Sequence, residues 1–164
     1  MSPAKAQFTI RPVVPADCRE MLRLIGELAV YEKLADQAVG TEPMLRAALF
    51  GERPSCEALI AEHGGRAVAF ALYFTTFSTF LCRPGLYLED VFVEPTSRGL
   101  GIGKAILARL ARIATERGCG RFEWRVLDWN EPSIKFYESL GAKLMPEWLL
   151  VRVTASGFGK IADA

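Results

Sequence analysis

Histidine is nearly missing from this chain: His63 stands alone among 164 residues. A histidine-based metal site and a Ser-His-Asp triad therefore lack their usual ligand or base, and no metal is expected. His63 itself precedes Gly64-Gly65 and reads as a turn residue. Cysteine is sparse as well. Cys18, Cys56, Cys82 and Cys119 are scattered without a C-x-x-C pair, the pattern of free thiols in a reducing cytosol. No apolar run approaches the ~20 residues of a membrane span. The opening MSPAKAQFTIRP has no apolar core of the kind a secretory leader carries. Excess charge is absent too: the formal net charge of +1 leaves no electrostatic footprint for nucleic acid or an anionic membrane. These absences predict a cytoplasmic protein with neither kind of partner.

Apolar residues, by contrast, make up 51% of the chain, enough for one domain with a real core across 1–164. The order of elements is legible from its punctuation. A short strand is expected from Gln7 to Arg11. Asp17 with Glu20 reads as a capping box before Met21, Leu22, Ile25, Leu28 and Ala29, which recur at helical spacing as far as about Leu34. Thr41 opens a shorter helix stopped by Gly51. Glu57 to Glu62 and Arg66 to Phe74 flank the His63-Gly64-Gly65 turn as an antiparallel hairpin. A strand from Leu86 to Val93 and another from Arg121 to Leu127 enclose a helix whose stripe is Ile102, Ile106, Leu110 and Ile113, ended by Gly118. Asn130 caps a further helix with Pro132 in its first turn and Gly141 beyond its end. A last strand is expected over Trp148 to Val153. Strands and helices interleave around a mixed sheet, so the class is α/β.

The chemistry gathers at Leu86 to Leu110, LYLEDVFVEPTSRGLGIGKAILARL. A strand breaks at Pro95, passes Gly99, Gly101 and Gly103, and leaves as a helix. Such glycines let backbone amides turn toward a ligand while the new helix aims its positive end at the same spot, which suits a phosphate. This is not a P-loop: only three residues lie between Gly99 and Gly103 where four are needed, and Lys104 is followed by Ala105 where a magnesium-binding hydroxyl belongs. A dinucleotide fingerprint begun at Gly101 would need glycine at Ile106. Glu123 stands at the distance of that fingerprint's ribose-binding acid, but inside a strand-like run. The two strands around this helix form a βαβ crossover, whose ligands sit beyond the carboxyl ends of the strands.

Arg98-x-x-Gly101-x-Gly103 between strand and helix resembles the acetyl-CoA pyrophosphate loop of the GNAT acetyltransferases. LYLEDVFV is similar to the strand that holds the pantetheine arm in that family, and DWNEPSIKFYESLGA (128–142) to its closing motif. With FTIRP and ADCREMLRLIGELAVYE at the front, nearly the whole chain resembles the spermidine/spermine (diamine) branch. The resemblance implies a GNAT fold, with a mixed, mostly antiparallel sheet, splayed middle strands and flanking helices. It implies acetyl-CoA as co-substrate, a small-molecule amine as acceptor, and a homodimer. Val91, Phe92, Val93, Arg98, Gly99, Leu100, Gly101, Ile102, Gly103, Lys104, Asn130, Ser133 and Phe136 would hold the coenzyme. Tyr31, Glu32, Glu89, Asp90 and Glu147 would meet the amine. Tyr137 would be the general acid, and Glu89 would relay the amine's proton through water. The segment between Tyr137 and Trp148 is shorter than in the polyamine enzymes, and the hairpin at His63 is tighter, so the register of Glu147 departs from the family's pattern. A protein or peptide amine as acceptor, and a non-catalytic acetyl-CoA-binding module, are the rival readings.

The residue types suit acyl transfer to an amine. An amine with the lysine pKa of about 10.4 is neutral in only ~1 molecule in 2,500 at pH 7. A carboxylate near it must therefore attract the cation and help dispose of its proton. Leu88 and Val91 predict that Glu89 is desolvated. In a regular strand Glu89 and Asp90 point to opposite faces; a bulge would change that parity.

Overall fold

The computed structural model describes residues 8–164, which leaves Gln7, the expected start of the first strand, outside the described residues. The chain forms two compact units, one reaching to Arg125 and one from Val126 to Ala164. The first holds a five-stranded sheet in the order β1 (Phe8–Pro12), β2 (Glu57–His63), β3 (Arg66–Ser78), β4 (Arg83–Val93) and β5 (Arg121–Trp124). Neighbours pair antiparallel from β1 to β4, and β4 pairs with β5 in parallel. The mixed, mostly antiparallel sheet expected from the sequence is therefore present, with the crossover helix α3 (Ile102–Glu116) joining its parallel pair.

One face of the sheet packs on α1 (Cys18–Tyr31) and α2 (Glu42–Phe50). Met21, Leu24, Leu28 and Leu49 meet Ala58, Ile60, Phe70 and Phe92 there, all buried. Residues of the other strand parity turn to the opposite face, where Ile102, Ile106, Leu110 and Ile113 of α3 are buried as one stripe. Arg117, just past α3, lies over the Tyr73 ring on that side, 5.8 Å from its centroid. At the β2–β3 turn, Gly64 and Gly65 both have positive φ (60° and 79°), a conformation that makes the hairpin tight and that side chains resist.

Several expectations change. Strand β5 ends at Trp124 rather than Leu127, β3 runs on to Ser78 rather than stopping at Phe74, and β4 starts at Arg83 rather than Leu86. The capping box at Asp17 does not form. A short 3-10 turn, Pro15–Asp17, precedes α1 and leaves Asp17 in helical φ/ψ. Its carboxylate accepts instead from the Val14 N–H (2.7 Å) and from Arg11 (2.7 and 2.9 Å). Helix α1 stops at Tyr31 rather than Leu34, with Lys33 turned to φ 61°. In the second unit, Trp148 to Val153 is irregular chain, not a strand. A strand is completed by its neighbour, and among the described residues none pairs with this stretch, whose Leu149 and Val151 are each 86% exposed. The second unit's helices are α4 (Glu131–Ser139) and α5 (Phe158–Ala162).

The end of β4 is tied down by charge. Glu94, only 4% exposed, accepts from Arg66 twice (2.7 Å each) and from Arg23 of α1 (2.7 Å). Arg23 also donates to the Ala67 carbonyl (2.9 Å), so helix, hairpin and strand end share one knot. Burial alone would raise the Glu94 pKa, but the two guanidinium groups outweigh it and hold the carboxyl below its ordinary value. A depressed carboxylate contributes stability that is present above its unfolded pKa and is lost as pH falls through its folded value. Glu94→Gln is therefore expected to lower the urea-unfolding free energy by about 1–3 kcal/mol at pH 7. The gap from wild type should close as the pH drops below the ordinary glutamate range; a gap that persists in acid would show that packing, not charge, is at stake.

Candidate active site

The site is organised by one extra residue in β4. Opposite β3, Leu88 pairs with Tyr73 and Asp90 with Leu72, so Glu89 has no partner and forms a bulge. Residues directly opposite in an antiparallel pair share a face. Leu88 thus lies with Tyr73 on the α3 side, whereas Asp90 lies with Leu72 on the α1 side, in line with Phe92. The regular-strand expectation, which would keep Leu88 and Asp90 on one face, fails at this point. Glu89 itself is exposed, and the desolvation expected there falls on Asp90.

Asp90 is pushed up to about 6, first by burial and then by the neighbouring charges of Glu89 and Glu32. Glu32, the residue that caps the C-terminus of α1, is also raised by burial. Three carboxylates named from the sequence are therefore brought together. Tyr87 joins them on the α1 face, opposite Phe74, with its ring 5.6 Å from the Arg125 guanidinium. Burial raises the Tyr87 hydroxyl, with Arg125 opposing and the acids adding. The sequence reading missed Tyr87 and Arg125. Only the pairing of β4 with β3 could have found Tyr87, and nothing in the spacing marks Arg125.

Beyond the bulge the sheet opens. The parallel ladder runs from Gly85–Arg121 to Leu88–Trp124 and stops, while β4 continues to Val93. Val91 and Val93 are half-buried on this free stretch and Phe92 is buried. The backbone edge of Glu89–Val93 that faces away from β3 is thus available to an extended ligand.

The glycine loop follows. Gly99 and Gly101 have φ of 80° and 84°, and a Cβ on either would meet nothing within 4 Å. Glycine is needed there for conformation, and the space in front of it is open. Gly101 is the N-cap of α3 and offers no side chain to the first amides of Ile102, Gly103 and Lys104. Such a fifteen-residue helix with an uncapped, glycine-lined start suits a phosphate. Leu100 is half-buried and Lys104 exposed in this turn. Arg98 is anchored: its Nε donates to the Val93 carbonyl (3.0 Å), and its guanidinium lies 4.8 Å from the Tyr31 ring centroid and 5.9 Å from that of Phe92. A cleft of about 510 Å³ opens beside these rings, lined also by Glu27, Val30 and Pro95.

In the second unit, Asn130 is buried and its Oδ1 accepts from the Ser133 N–H (3.3 Å), fixing the start of α4. Phe136 and Tyr137 are half-buried on α4 with ring centroids 5.6 Å apart. Glu147 is exposed on irregular chain, one residue before Trp148. An uncapped, glycine-lined helix start, an opened strand edge and an acid cluster at its bulge thus follow one another along β4 and the loop into α3.

The Acetyltransferase (GNAT) family matches residues 27–142. The chain belongs to that family. This acetyltransferase is 41% identical over 150 residues to the thialysine N-epsilon-acetyltransferase of Sus scrofa, covering 87% of the chain and 88% of that protein. It is 39% identical over 142 residues to the human spermidine/spermine N(1)-acetyltransferase-like protein 1, covering 82% of the chain but 20% of that longer protein. Among solved structures, the V. cholerae integron cassette protein VCH_CASS6 superposes with a TM-score of 0.80 at 29% identity, covering 96% of this chain and 98% of that one. Among the described residues, no helix is long and apolar enough to cross a membrane, and no group of three or more His, Cys, Asp or Glu could hold a metal.

The acid cluster has a thermodynamic signature. A carboxyl whose folded pKa lies above its unfolded value, as at Asp90, favours folding while protonated and opposes it once ionised. Stability attributable to Asp90 should fall as pH rises from about 4 through about 6. Asp90→Asn is expected to melt higher than wild type at pH 8 and to converge with it near pH 4. A lower melting temperature at pH 8 would mean that ionised Asp90 is structurally paired.

Proposed function

We propose that this acetyltransferase moves the acetyl group of acetyl-CoA to a primary amine of a small diamine-like molecule, of the thialysine or polyamine kind. The observation that carries this reading is the carboxylate cluster of Glu32, Glu89 and Asp90 at the bulge of the opened strand. Burial and mutual repulsion there leave a deficit of positive charge that an amine cation fills. The names of the thialysine and spermidine/spermine relatives support an amine acceptor. The uncapped start of α3, Arg98 and the open space before Gly99 and Gly101 support a coenzyme with a pyrophosphate. In this reading Lys104 adds a charge to the phosphates, the amides of Val91 and Val93 hold the pantetheine and polarise the thioester, and Asn130, Ser133 and Phe136 complete the coenzyme's contacts. The match from 27 to 142 runs through both units, which supports one functional domain.

The amine must lose a proton before its nitrogen attacks the thioester carbon. As the C–N bond forms the C–S bond breaks, and the thiolate leaves. From an amine at about 10.4 to an aspartate of ordinary pKa the transfer is uphill by about 6.5 units. Asp90 at about 6 narrows this to roughly 4 units. Asp90 is accordingly the carboxylate best prepared to take up the proton, with the exposed Glu89 orienting the cation and passing the proton on through water. Tyr137 supplies a proton to the departing thiolate, and the second proton of the nitrogen, lost once the C–N bond has formed, restores the tyrosine hydroxyl through water. Glu147 is a further acceptor contact in this reading, and the resemblance would place Tyr31 there as well.

CoA-thiol release should be measured against putrescine, spermidine, spermine, thialysine, lysine and a lysine-bearing peptide. Turnover on a small amine is expected. Turnover on the peptide alone would replace the acceptor class, and tight acetyl-CoA binding without turnover would favour a binding module. Tyr137→Phe should lower kcat by about 10²–10⁴ while acetyl-CoA affinity is kept. The kcat/KM for the amine should fall on the acid side with a pKa near 6, because protonated Asp90 no longer attracts the cation, and Asp90→Asn should abolish that limb.

A homodimer is part of the same reading. The stretch from Leu144 to Val153 exposes Leu144, Met145, Trp148, Leu149, Leu150, Val151 and Val153, a run of apolar side chains of the kind that marks an interaction surface. Its composition is that of a strand, and a second copy is the partner that could pair with it. Light scattering should give twice the chain mass, and Leu149→Lys with Val151→Lys should return a monomer. A cytosolic location also belongs to this reading, supported by four cysteines that are free thiols.

A further inference from the structure

Tyr31 was placed with the amine contacts by resemblance, but its geometry points to the coenzyme. Arg98 is an exposed residue with a rotamer-rich side chain, yet it is held at three places: the Tyr31 ring at 4.8 Å, the Phe92 ring at 5.9 Å and the Val93 carbonyl at 3.0 Å. Arginine has five N–H donors in a planar fork, and the bond to Val93 uses only Nε. The two Nη atoms carry the remaining four donors, and the space in front of the adjoining Gly99 and Gly101 is open. We infer that Tyr31 is a positioning residue for the coenzyme, its ring holding the Arg98 guanidinium where the pyrophosphate binds. The inference rests on the acetyl-CoA reading above.

A guanidinium fixed in its binding pose loses less freedom on meeting a phosphate, and that saving appears as affinity. The next residue, Glu32, belongs to the acid cluster that faces the amine. The end of α1 therefore serves two substrates through adjacent side chains, Tyr31 by way of Arg98 and Glu32 by way of its charge. A substitution at Tyr31 should act on acetyl-CoA binding in the absence of any amine. One at Glu32 should act on the amine KM.

The test is calorimetric titration of the full chain with acetyl-CoA and no amine. Tyr31→Leu, which keeps an apolar side chain at this half-buried position, should weaken binding about two- to fivefold, the range of an exposed cation–π contact. Tyr31→Phe should restore it, because the ring and not the hydroxyl carries the stack. Arg98→Ala should weaken binding further, and the double variant Tyr31→Leu/Arg98→Ala should be no weaker than Arg98→Ala alone. A Tyr31→Leu affinity equal to wild type would overturn the inference, as would an equal loss from Tyr31→Leu in the Arg98→Ala background. Thermal melts of each variant establish the fold. Arg98→Lys, which leaves α1 untouched and keeps the charge but not the planar stack, gives a second reading: undiminished affinity there would also overturn the inference. If the wild-type chain fails to bind acetyl-CoA, the underlying reading falls with it, and this is seen before any variant is compared.

Discussion

The bulge at Glu89 is the constraint on which the site depends. A strand hydrogen-bonded along both edges has no backbone to offer a ligand, and one with regular alternation would keep Leu88 and Asp90 on the same face. One inserted residue changes both. The parallel ladder ends at Leu88–Trp124, immediately before the bulge, and β4 continues alone toward the glycine loop. Bulges bend a strand and increase its twist, which accounts for the parting of β4 from β5. The same insertion turns Asp90 toward α1, where Glu32 ends the helix. The opened edge and the acid cluster therefore have a common cause.

Asp90 in β4 and Glu94 just beyond its end, four positions apart, have opposite fates. Both Asp90 and Glu94 are drawn out of water. Glu94 meets Arg23 and Arg66 at 2.7 Å and is held charged. Asp90 meets other carboxylates and is driven toward its neutral form. The first arrangement fixes the strand end against α1 and the hairpin, so that Pro95 and the loop start from a defined place. The second leaves charge unbalanced at the bulge. Desolvation is common to both, and the sign of the neighbours decides whether it builds structure or prepares a binding site.

Much of this was legible in the residues. Positive-φ glycines, apolar periodicity and the Asn130 cap gave the hairpin, α3 and α4 with boundaries within a few residues, because these signals act locally. The acids at Tyr31-Glu32 and Glu89-Asp90 could be named from the pattern they resemble. Their relative burial could not, since it depends on a bulge defined by the pairing of β4 with β3, some fifteen residues away in sequence. Tyr87 and Arg125 were invisible for the same reason. The failed strand at Trp148–Val153 is the converse case: its composition favours a strand, but a strand forms only where a neighbouring edge accepts its hydrogen bonds. Asp17 failed as a cap because Arg11, six positions earlier, competes for its carboxylate.

An acid cluster of this kind faces a conflict that bears on how amines are acetylated. Each added carboxylate strengthens capture of an ammonium ion, yet each also stabilises the charge that must be lost before nitrogen can attack. A single ordinary glutamate would capture the amine and leave the proton gap as wide as in water. Crowding resolves part of the conflict, because carboxylates that repel one another make at least one of them a better proton acceptor. Asp90, half-buried and flanked by the charges of Glu89 and Glu32, is in that position. In the proposed reaction the repulsion within the cluster would be relieved in two stages, first by the incoming cation and then by the proton it leaves behind. A site that was stable without its substrate would have less to gain from either.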